Sequence, residues 1–420
     1  MWNQSEQQMQ LEMNVGQMFE ALERCQITTR FRIGLWQFDC YSQFGSHLEA
    51  LRHYVSWEVP LNLGCEEKVY RMFLLTDRDL LEGIQQRLAR LSPTRVLETY
   101  AGVCFLGQYP LGGEGRSLFF EQGQNADRSY CIVKDGDTVV VLCRETSNDS
   151  AESLLRAIPN SPAEYILRAI REIYLRESEN HDGVMLHAAG VVRDNFCILF
   201  PGNKAAGKTS LTLSLSLSPG YDYLCNDRAV LIPHQEDLFV FPFPLACRIG
   251  SGTIEQIPVI KRVLGESLPL YRRQSEALIA HDTSSVQKRH LFGSRIKLSL
   301  TPMEITELLP LNHNGGAPLG AIIVPYLDPV CHRPELEPLT AEILAEELSN
   351  QAITPSEPQW LTPYLVEHRR TVEDMYSVVD VLLSRVATDT PGYRLRFGFD
   401  YWNGRGINNR LLELVDAALK

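Results

Sequence analysis

Lys208 and Thr209 end a short glycine-containing run whose residue types can bind phosphate. The run reads Gly202-Asn203-Lys204-Ala205-Ala206-Gly207-Lys208-Thr209 and matches G-x-x-x-x-G-K-[ST], the pattern of a phosphate-binding loop. The two glycines permit backbone angles and a close approach that a side chain would block. The lysine can reach the β- and γ-phosphates of a nucleotide, and the threonine hydroxyl can ligate Mg²⁺. The alternative is a glycine-rich turn with no chemical role.

The elements around this run agree with a phosphate-binding loop. Residues 196–200 form a short apolar run typical of a strand, and Pro201 ends it. Residues 209–218 carry leucine at every second position, a pattern that suits a strand better than a helix. The motif normally opens a helix, so we predict a helix here, ended by Pro219-Gly220. Its N-terminus would present unpaired N–H groups and partial positive charge to an anion.

A second candidate is Asp227, which lies between two apolar runs in residues 221–233, a segment that we predict as one strand. A lone buried carboxylate costs several kcal/mol unless it is paired or bound to a metal. Mg²⁺ is one partner, because a phosphate loop lies just upstream. An ordinary ion pair with a nearby arginine, or a strand-end position, is the alternative. Arg248 follows further along and either braces a phosphate or faces solvent.

Composition limits the classes of function. The 420 residues allow two or three domains, and a net charge of −12 argues against nucleic acid as the main partner. Ten scattered cysteines form no C-x-x-C pair, which favours core thiols in a reducing, cytoplasmic setting. No signal peptide and no apolar run of membrane-spanning length are present. The chain therefore predicts a cytoplasmic protein without a membrane segment.

The order of elements predicts an α/β protein with two domains. Residues 1–155 are expected to form an α+β accessory domain that recognises the substrate, and residues 156–420 a catalytic domain with a mixed central sheet. Because Pro242 and Pro244 have no backbone N–H to donate, we predict that the strand at 238–243 lies toward an edge of its sheet. Residues 261–290 are polar and locally basic, and we interpret them as a lid over the site or as a surface loop. The remaining predicted strands are 29–38, 70–75, 96–105, 129–134, 138–143, 319–326 and 393–399, and the predicted helices are 1–24, 77–91, 150–156, 162–176, 340–348, 371–385 and 408–419.

Residues around the loop resemble a known family. Leu186-His187-Ala188-Ala189-Gly190 precedes the loop, Asn226-Asp227-Arg228 follows its helix, and Phe241-Pro242-Phe243-Pro244 comes next. This order resembles the C-terminal catalytic domain of HPr kinase/phosphorylase, which shares its fold with phosphoenolpyruvate carboxykinase. The resemblance is close over residues 184–252 and looser over 160–400, and it does not extend to that family's N-terminal domain.

The resemblance implies an ATP- and Mg²⁺-dependent phosphotransferase that acts on a hydroxyl, often a serine of a peptide or small protein. Lys208 and the loop amides as far as Ser210 would then hold ATP, while Thr209 and Asp227 would hold the metal. His187 would lie beside the transferred phosphate; a core histidine at a strand start is the alternative. Asn226, Arg228 and Arg248 are further candidates.

The sequence departs from the family at a position that matters for chemistry. The family usually has two adjacent acids where this chain has Asn226-Asp227, and its loop usually carries Ser-Gly where this chain has residues 204–206. An amide cannot take a proton, so position 226 cannot act as a base, and Asp227 or His187 is the candidate. A protein or peptide kinase, a small-molecule kinase and an ATP-binding regulator without phosphotransfer all stay open. A homo-oligomer is also compatible with the sequence.

Overall fold

The computed structural model describes residues 4–55, 68–99, 104–112, 115–121, 130–144, 162–266, 297–357, 362–402 and 406–419. Strands and helices alternate through both halves in mixed sheets, which confirms the α/β class. The chain divides into two compact units: described residues up to 177 with 357 and 362–369, and those of 178–356 and 370–419. The predicted boundary at 155/156 and the predicted helix at 150–156 fall outside the described residues.

The first unit is a mixed sheet with helices packed on it. Its strands follow the spatial order β1-β2-β3-β8-β7-β6-β5-β4, and β2, β3 and β8 run parallel. The strands are β1 Ile27–Ile33, β2 Trp36–Ser42, β3 Val69–Thr76, β4 Arg95–Thr99, β5 Cys104–Pro110, β6 Ser117–Glu121, β7 Tyr130–Asp135 and β8 Thr138–Cys143. The helices are α1 Gln4–Glu20 with a 3₁₀ turn at Ala21–Arg24, α2 Gly45–Val55, α3 Arg78–Leu88 and α4 Pro162–Asn180, whose last residues belong to the second unit.

Two strands predicted in this unit are hairpins instead. The segment 29–38 turns at Gly34, whose φ of +57° is a left-handed conformation that glycine adopts without strain. The apolar alternation continues on both sides of that turn, so the alternating pattern did not reveal where the chain reverses. The segment 96–105 is likewise two antiparallel strands, with Thr99 opposite Cys104. The predicted strands at 129–134 and 138–143 pair as the hairpin of β7 and β8, and Asp77 caps α3 by accepting a hydrogen bond from Leu80 N at 3.0 Å.

The second unit has a mixed central sheet, as predicted. Its strands follow the order β12-β10-β11-β17-β14-β13-β9, with β19 beside β17 and β18 beside β19. Among the described strands of this unit, β11, β17 and β19 run parallel to one another, and the other strand pairs are antiparallel. The strands are β9 Val184–Leu186, β10 Ala188–Arg193, β11 Phe196–Pro201, β12 Tyr221–Cys225, β13 Ala229–His234, β14 Asp237–Pro242, β15 Cys247–Gly250, β16 Lys297–Leu300, β17 Ala317–Leu327, β18 Glu335–Pro338 and β19 Gly392–Phe397.

Helices cover both faces of this sheet. The helices are α5 Lys208–Ser216, α6 Ser251–Gln256, α7 Pro258–Glu266, α8 Pro302–Leu308, α9 Ala341–Ser349, α10 Val372–Asp389 and α11 Asn409–Ala417. Alternate residues of β11 enter different cores: Ile198 and Phe200 pack with α5 and α11, and Cys197 and Leu199 pack with α9 and α10. The loop that joins β11 to α5 therefore lies at the end of a strand buried on both faces.

One expectation about this unit is corrected, and a second is left largely untested. Strand β14 is internal, because β13 pairs along its whole length and β17 pairs with it at Phe239 and Val240. Pro242 is tolerated because the pairing with β17 has stopped before it. The proposed lid at 261–290 lies outside the described residues from 267 on, and its first residues complete helix α7.

No helix in the described residues is long and apolar enough to cross a membrane.

Helix α5 is confirmed, and burial explains its misleading alternation of leucines. Residues 210–216 are all buried, so the helix has no solvent face that would produce a helical period. Its small hydroxyl residues occupy tight positions between packed leucines. Within the described part of the chain, the side-chain oxygens of Thr212, Ser214 and Ser216 have no hydrogen-bond partner. An unpaired buried hydroxyl lowers stability.

We therefore expect Ser214→Ala to raise the free energy of unfolding by roughly 1 kcal/mol, because it removes an unpaired hydroxyl and adds helix propensity. Chemical denaturation measures the change. Leu213→Ala, at an equally buried neighbour, is the control and should cost roughly 2–5 kcal/mol through the cavity it leaves. A lower stability of Ser214→Ala would show that the hydroxyl has a partner in solution.

Candidate active site

The turn from β11 into α5 requires glycine at its last position. Gly207 has a φ of +95°, a left-handed conformation, immediately before the helix. A Cβ there would lie 2.7 Å from Phe397 Cζ and 3.1 Å from Leu327 Cβ. The loop thus passes directly over side chains at the ends of β17 and β19, and only glycine fits that approach. Gly202, at the start of the loop, has an equally unusual φ of +157°.

Backbone hydrogen bonds fix the loop from both sides. Ala206 O accepts from Leu327 N at 3.1 Å, and Gly202 N donates to His187 O at 3.4 Å. Within the loop, Ala206 N donates to Asn203 O at 3.2 Å. Among the described residues, the N–H groups of Lys204, Ala205 and Gly207 have no protein acceptor. These groups, together with the N-terminus of α5, form a cradle for an anion.

Gln351, which sequence reasoning missed, connects the loop to His187. Its Nε2 donates to Asn203 Oδ1 at 3.2 Å, and its backbone carbonyl accepts from His187 N at 2.8 Å. The side chain is buried, so the bridge is held in place. Gln351 lies 148 residues after the loop asparagine that it contacts. No motif marks it, and only the fold brings it to the site.

Lys208 is the buried cation of the site. The residue is only 7% exposed, and its ammonium donates to the carbonyl oxygen of Gly202 and, at 3.1 Å, to that of Asn203. Burial lowers the pKa of Lys208 to about 8, and the Asp227 carboxylate opposes that shift. The positive charge of Lys297 on β16, another residue that the sequence did not single out, lowers the pKa further. The loop carbonyls thus accept hydrogen bonds that phosphate oxygens would accept in a nucleotide complex.

Asp227 and His187 form a hydrogen-bonded pair next to this lysine. His187 Nε2 lies 3.1 Å from Asp227 Oδ1. This hydrogen bond is the main cause that lowers the pKa of Asp227 to about 2, with the charges of His187, Arg228 and Lys208 contributing. The carboxylate is therefore ionised and can only accept, so Nε2 is the donor. His187 is partly exposed between β9 and β10, which argues against a plain core histidine.

The predicted single strand at 221–233 is wrong in a way that explains this pair. Strand β12 ends at Cys225 and β13 begins at Ala229, so residues 226–228 form a connection between them. Asp227 has a φ of +77° there, which short polar residues tolerate better than most. This turn directs the carboxylate toward His187 instead of into the sheet.

The oxygens around Thr209 suit a hard cation. Thr209 Oγ1 donates to Asn226 Oδ1 at 3.0 Å, and Asn226 is buried. The Thr209 hydroxyl and the Asp227 carboxylate are ligands of the kind that Mg²⁺ prefers. The described residues contain no group of three or more His, Cys, Asp or Glu side chains that could hold a metal by themselves. These residues fit Mg²⁺ only if phosphate oxygens complete its coordination, as in phosphate-loop enzymes.

The remaining predicted residues have unequal roles. Ser210 hydrogen-bonds Thr253 on α6 through their hydroxyls at 2.8 Å, which fixes α5 against its neighbour. Arg228 is close enough to Asp227 to lower its pKa. Arg248 is exposed on β15, and in the described part of the chain no contact joins it to the loop. The structure therefore brings together His187, Lys208, Thr209, Asn226 and Asp227, and no hydrogen bond or ion pair of the described residues connects Arg248 to them.

Comparison with protein-family models and with curated proteins finds no match to this chain. The function must therefore be argued from the site itself.

The shifted lysine gives a pH-dependent stability. Below about pH 8 Lys208 is charged in both states, and folding has to bury that charge. Between about 8 and the ordinary lysine pKa of 10.5, the folded chain releases the proton that the unfolded chain keeps, so stability rises with pH. We expect Lys208→Met to be more stable than the wild type at pH 7, on the order of 1–3 kcal/mol, and this advantage to shrink up to pH 10.

Urea unfolding at pH 7, 8, 9 and 10 measures that difference. Lys261→Met removes a lysine that is 57% exposed on α7, and its difference from the wild type should stay constant. A difference for Lys208→Met that does not change with pH would contradict the assignment of a buried charge.

Proposed function

We propose that this chain is an ATP- and Mg²⁺-dependent kinase that transfers the γ-phosphate to a hydroxyl, a serine of a peptide or small protein. The observation that carries the proposal is the convergence of Lys208, Thr209 and the His187–Asp227 pair at one end of β11. A phosphate-binding loop alone would support nucleotide binding. A paired histidine and carboxylate beside the same lysine adds groups that can handle a proton.

Nucleotide binding follows from the groups that the loop presents. The unpaired amides of Lys204, Ala205 and Gly207 and the N-terminus of α5 would receive phosphate oxygens. The Lys208 ammonium would exchange the carbonyls of Gly202 and Asn203 for these oxygens, which carry more charge. Because the lysine is buried, its attraction for phosphate is less weakened by water than that of a surface lysine. Mg²⁺, held by Thr209 and Asp227, would neutralise charge that develops on the phosphates.

Transfer requires that the acceptor hydroxyl lose its proton as it bonds to the γ-phosphorus. The bond from that phosphorus to the bridging oxygen breaks, ADP leaves, and the proton passes to Asp227 or to His187. The ionised Asp227 accepts a hydrogen bond from His187 Nε2, which orients the ring, and in the neutral ring Nδ1 is left as a second proton acceptor. The transition state of phosphoryl transfer is loose, so positioning and charge contribute more than the strength of the base.

The sequence resemblance supports the same activity. In HPr kinase/phosphorylase the residues that match His187, the loop and Asp227 serve phosphotransfer to a serine. The match is incomplete, because Asn226 replaces one of two acids. A metabolite with a hydroxyl is the second acceptor class that the same chemistry would serve.

One observation favours a different class of function, an ATP-binding regulator without transfer. Asn226 cannot take a proton, and its Oδ1 accepts a hydrogen bond from the hydroxyl that would ligate the metal. A site with these features would bind nucleotide and lack part of the catalytic charge. Movement of the γ-phosphate to an acceptor distinguishes the two functions.

Transfer is tested with γ-labelled ATP, Mg²⁺ and lysate of the native host as the pool of acceptors. We expect a labelled protein or small molecule with the wild type, and at least a hundredfold less label with Lys208→Ala, since removing an electrostatic contact to the transition state costs about 2.7–4 kcal/mol in comparable sites. Lys261→Ala, at an exposed lysine, is the matched control and should label as the wild type does. Nucleotide binding without any transfer would favour the regulator.

The carboxylate is tested separately with Asp227→Asn. Asparagine has the same shape, tolerates the positive φ and can still pair with His187, so the fold should be retained. We expect Mg²⁺-dependent transfer to fall by about two orders of magnitude or more, because both the metal ligand and the ionised partner of His187 are lost. Full activity of this variant would show that Asp227 is not part of the site.

Position 226 holds asparagine where the resembled family usually has an acid, so we predict that an acid at this position raises the rate of transfer. Asn226→Asp keeps the oxygen that accepts from Thr209 and adds a second carboxylate for the metal. We expect a higher rate of transfer and saturation at lower Mg²⁺ concentration. The measurement is initial rate against Mg²⁺ concentration, with Asn314→Asp, at another asparagine in a turn of the same unit, as the control. A lower rate would mean that the amide itself is required.

A further inference from the structure

We propose that the nucleoside of the nucleotide binds in a cleft beside the phosphate loop, with its base stacked on Tyr326. The inference rests on the proposed function, since it presumes that the loop holds the phosphates. It adds a site that the loop motif does not indicate, and it assigns the two sides of the loop to different parts of the ligand.

The cleft has the size and position that a nucleoside needs. Its volume is about 520 Å³, within the range of roughly 300–1,000 Å³ for small-molecule sites. One wall is the phosphate loop from Gly202 to Ala206, and the other walls are residues 324–327 of β17, Glu347 of α9 and Arg394 of β19. The cleft and the phosphate cradle therefore share residues, so one ligand can occupy both.

Tyr326 is an exposed aromatic ring placed at this cleft. The residue is 56% exposed although it lies in a strand whose preceding residues are buried. Among the described residues its ring packs on no other aromatic ring. Base stacking on an aromatic side chain contributes about 1–3 kcal/mol, and it does not require a particular base. A nucleobase can therefore stack on this exposed ring next to the proposed phosphate site.

Arg394 and Glu347 provide polar groups at the same cleft. Arg394 Nη2 donates to Glu347 Oε1 at 2.7 Å, and both side chains stay partly exposed. The second carboxylate oxygen can accept from an amino group of a base, and the guanidinium can donate to a ring nitrogen or a hydroxyl. Because the pair is formed already, these groups are held in place before a ligand arrives.

The lining of the cleft gives the ligand its direction. Tyr326 and Arg394 line the cleft, whereas His187 and Asp227 do not belong to its lining. His187 O instead accepts from the N–H of Gly202, and its ring pairs with Asp227. A nucleotide whose β-phosphate lies in the loop would therefore place its base at Tyr326 and its γ-phosphate near His187 and Asp227.

The test compares two probes, ATP and inorganic tripolyphosphate, each measured by equilibrium binding in the presence of Mg²⁺. We expect Tyr326→Ala to weaken ATP binding about tenfold or more and to leave tripolyphosphate binding within about twofold, because only ATP carries a base. Tyr326→Phe and Tyr326→Trp keep a ring and should bind ATP as the wild type does. Thermal unfolding of each variant shows whether the fold is retained.

The outcomes separate the two proposals. If Lys208→Ala weakens both probes and Tyr326→Ala weakens neither, the nucleoside site is overturned and the phosphate site stands. Equal weakening of both probes by Tyr326→Ala would also overturn the nucleoside site, because the tyrosine would then only support the loop. If Lys208→Ala changes neither probe, the proposed function fails, and the nucleoside site fails with it.

Discussion

The structure of the candidate site depends on the burial of one positive charge, the ammonium of Lys208. The lysine begins α5, where the helix dipole is already positive, so its charge is unfavourable there without a nearby anion. Only the carbonyls of the loop and the Asp227 carboxylate compensate for it among the described contacts, and the pKa of Lys208 still falls to about 8. A bound triphosphate would supply the missing negative charge. The charge of the loop is therefore of the kind that an anionic ligand would balance.

This arrangement is costly to assemble, because the groups that hold it come from distant parts of the chain. Phe397 and Leu327 lie under Gly207, so the ends of β17 and β19 determine how the loop turns. Gln351 holds both Asn203 and His187, and thereby fixes the distance between the loop and the histidine. These contacts are formed only when the second unit is complete. Rigid elements around a polar site reduce the reorganisation that a ligand must induce.

The sequence predicted the position of the loop and of the helix after it well, because both are local features. Eight adjacent residues defined the phosphate cradle, and the motif was a better guide to α5 than the leucine pattern, which burial on all sides had made uninformative. Asp227 was identified as a candidate although its strand was predicted wrongly and its side chain is 43% exposed instead of buried, because a phosphate loop lies just upstream of it. The hairpins at Gly34 and in the segment 96–105 were missed because alternation does not reveal where a chain reverses. Gln351, Lys297 and Tyr326 were missed for a different reason: each acts through contacts between residues far apart in the chain.

Asn226 affects both the net charge beside the loop and the choice between the proposed kinase and the alternative regulator. With an amide at this position, Lys208 and the ionised Asp227 carry opposite charges beside the loop, and a second acid would make the same region more negative. The amide therefore reduces repulsion of a bound triphosphate, and it also removes one ligand that a metal would use. The first effect would stabilise a complex with nucleotide, whereas the second would raise the barrier to transfer. The proposed kinase and the alternative regulator differ in which effect dominates, and the hydrogen bond from Thr209 places the amide of Asn226 beside the hydroxyl that would ligate the metal.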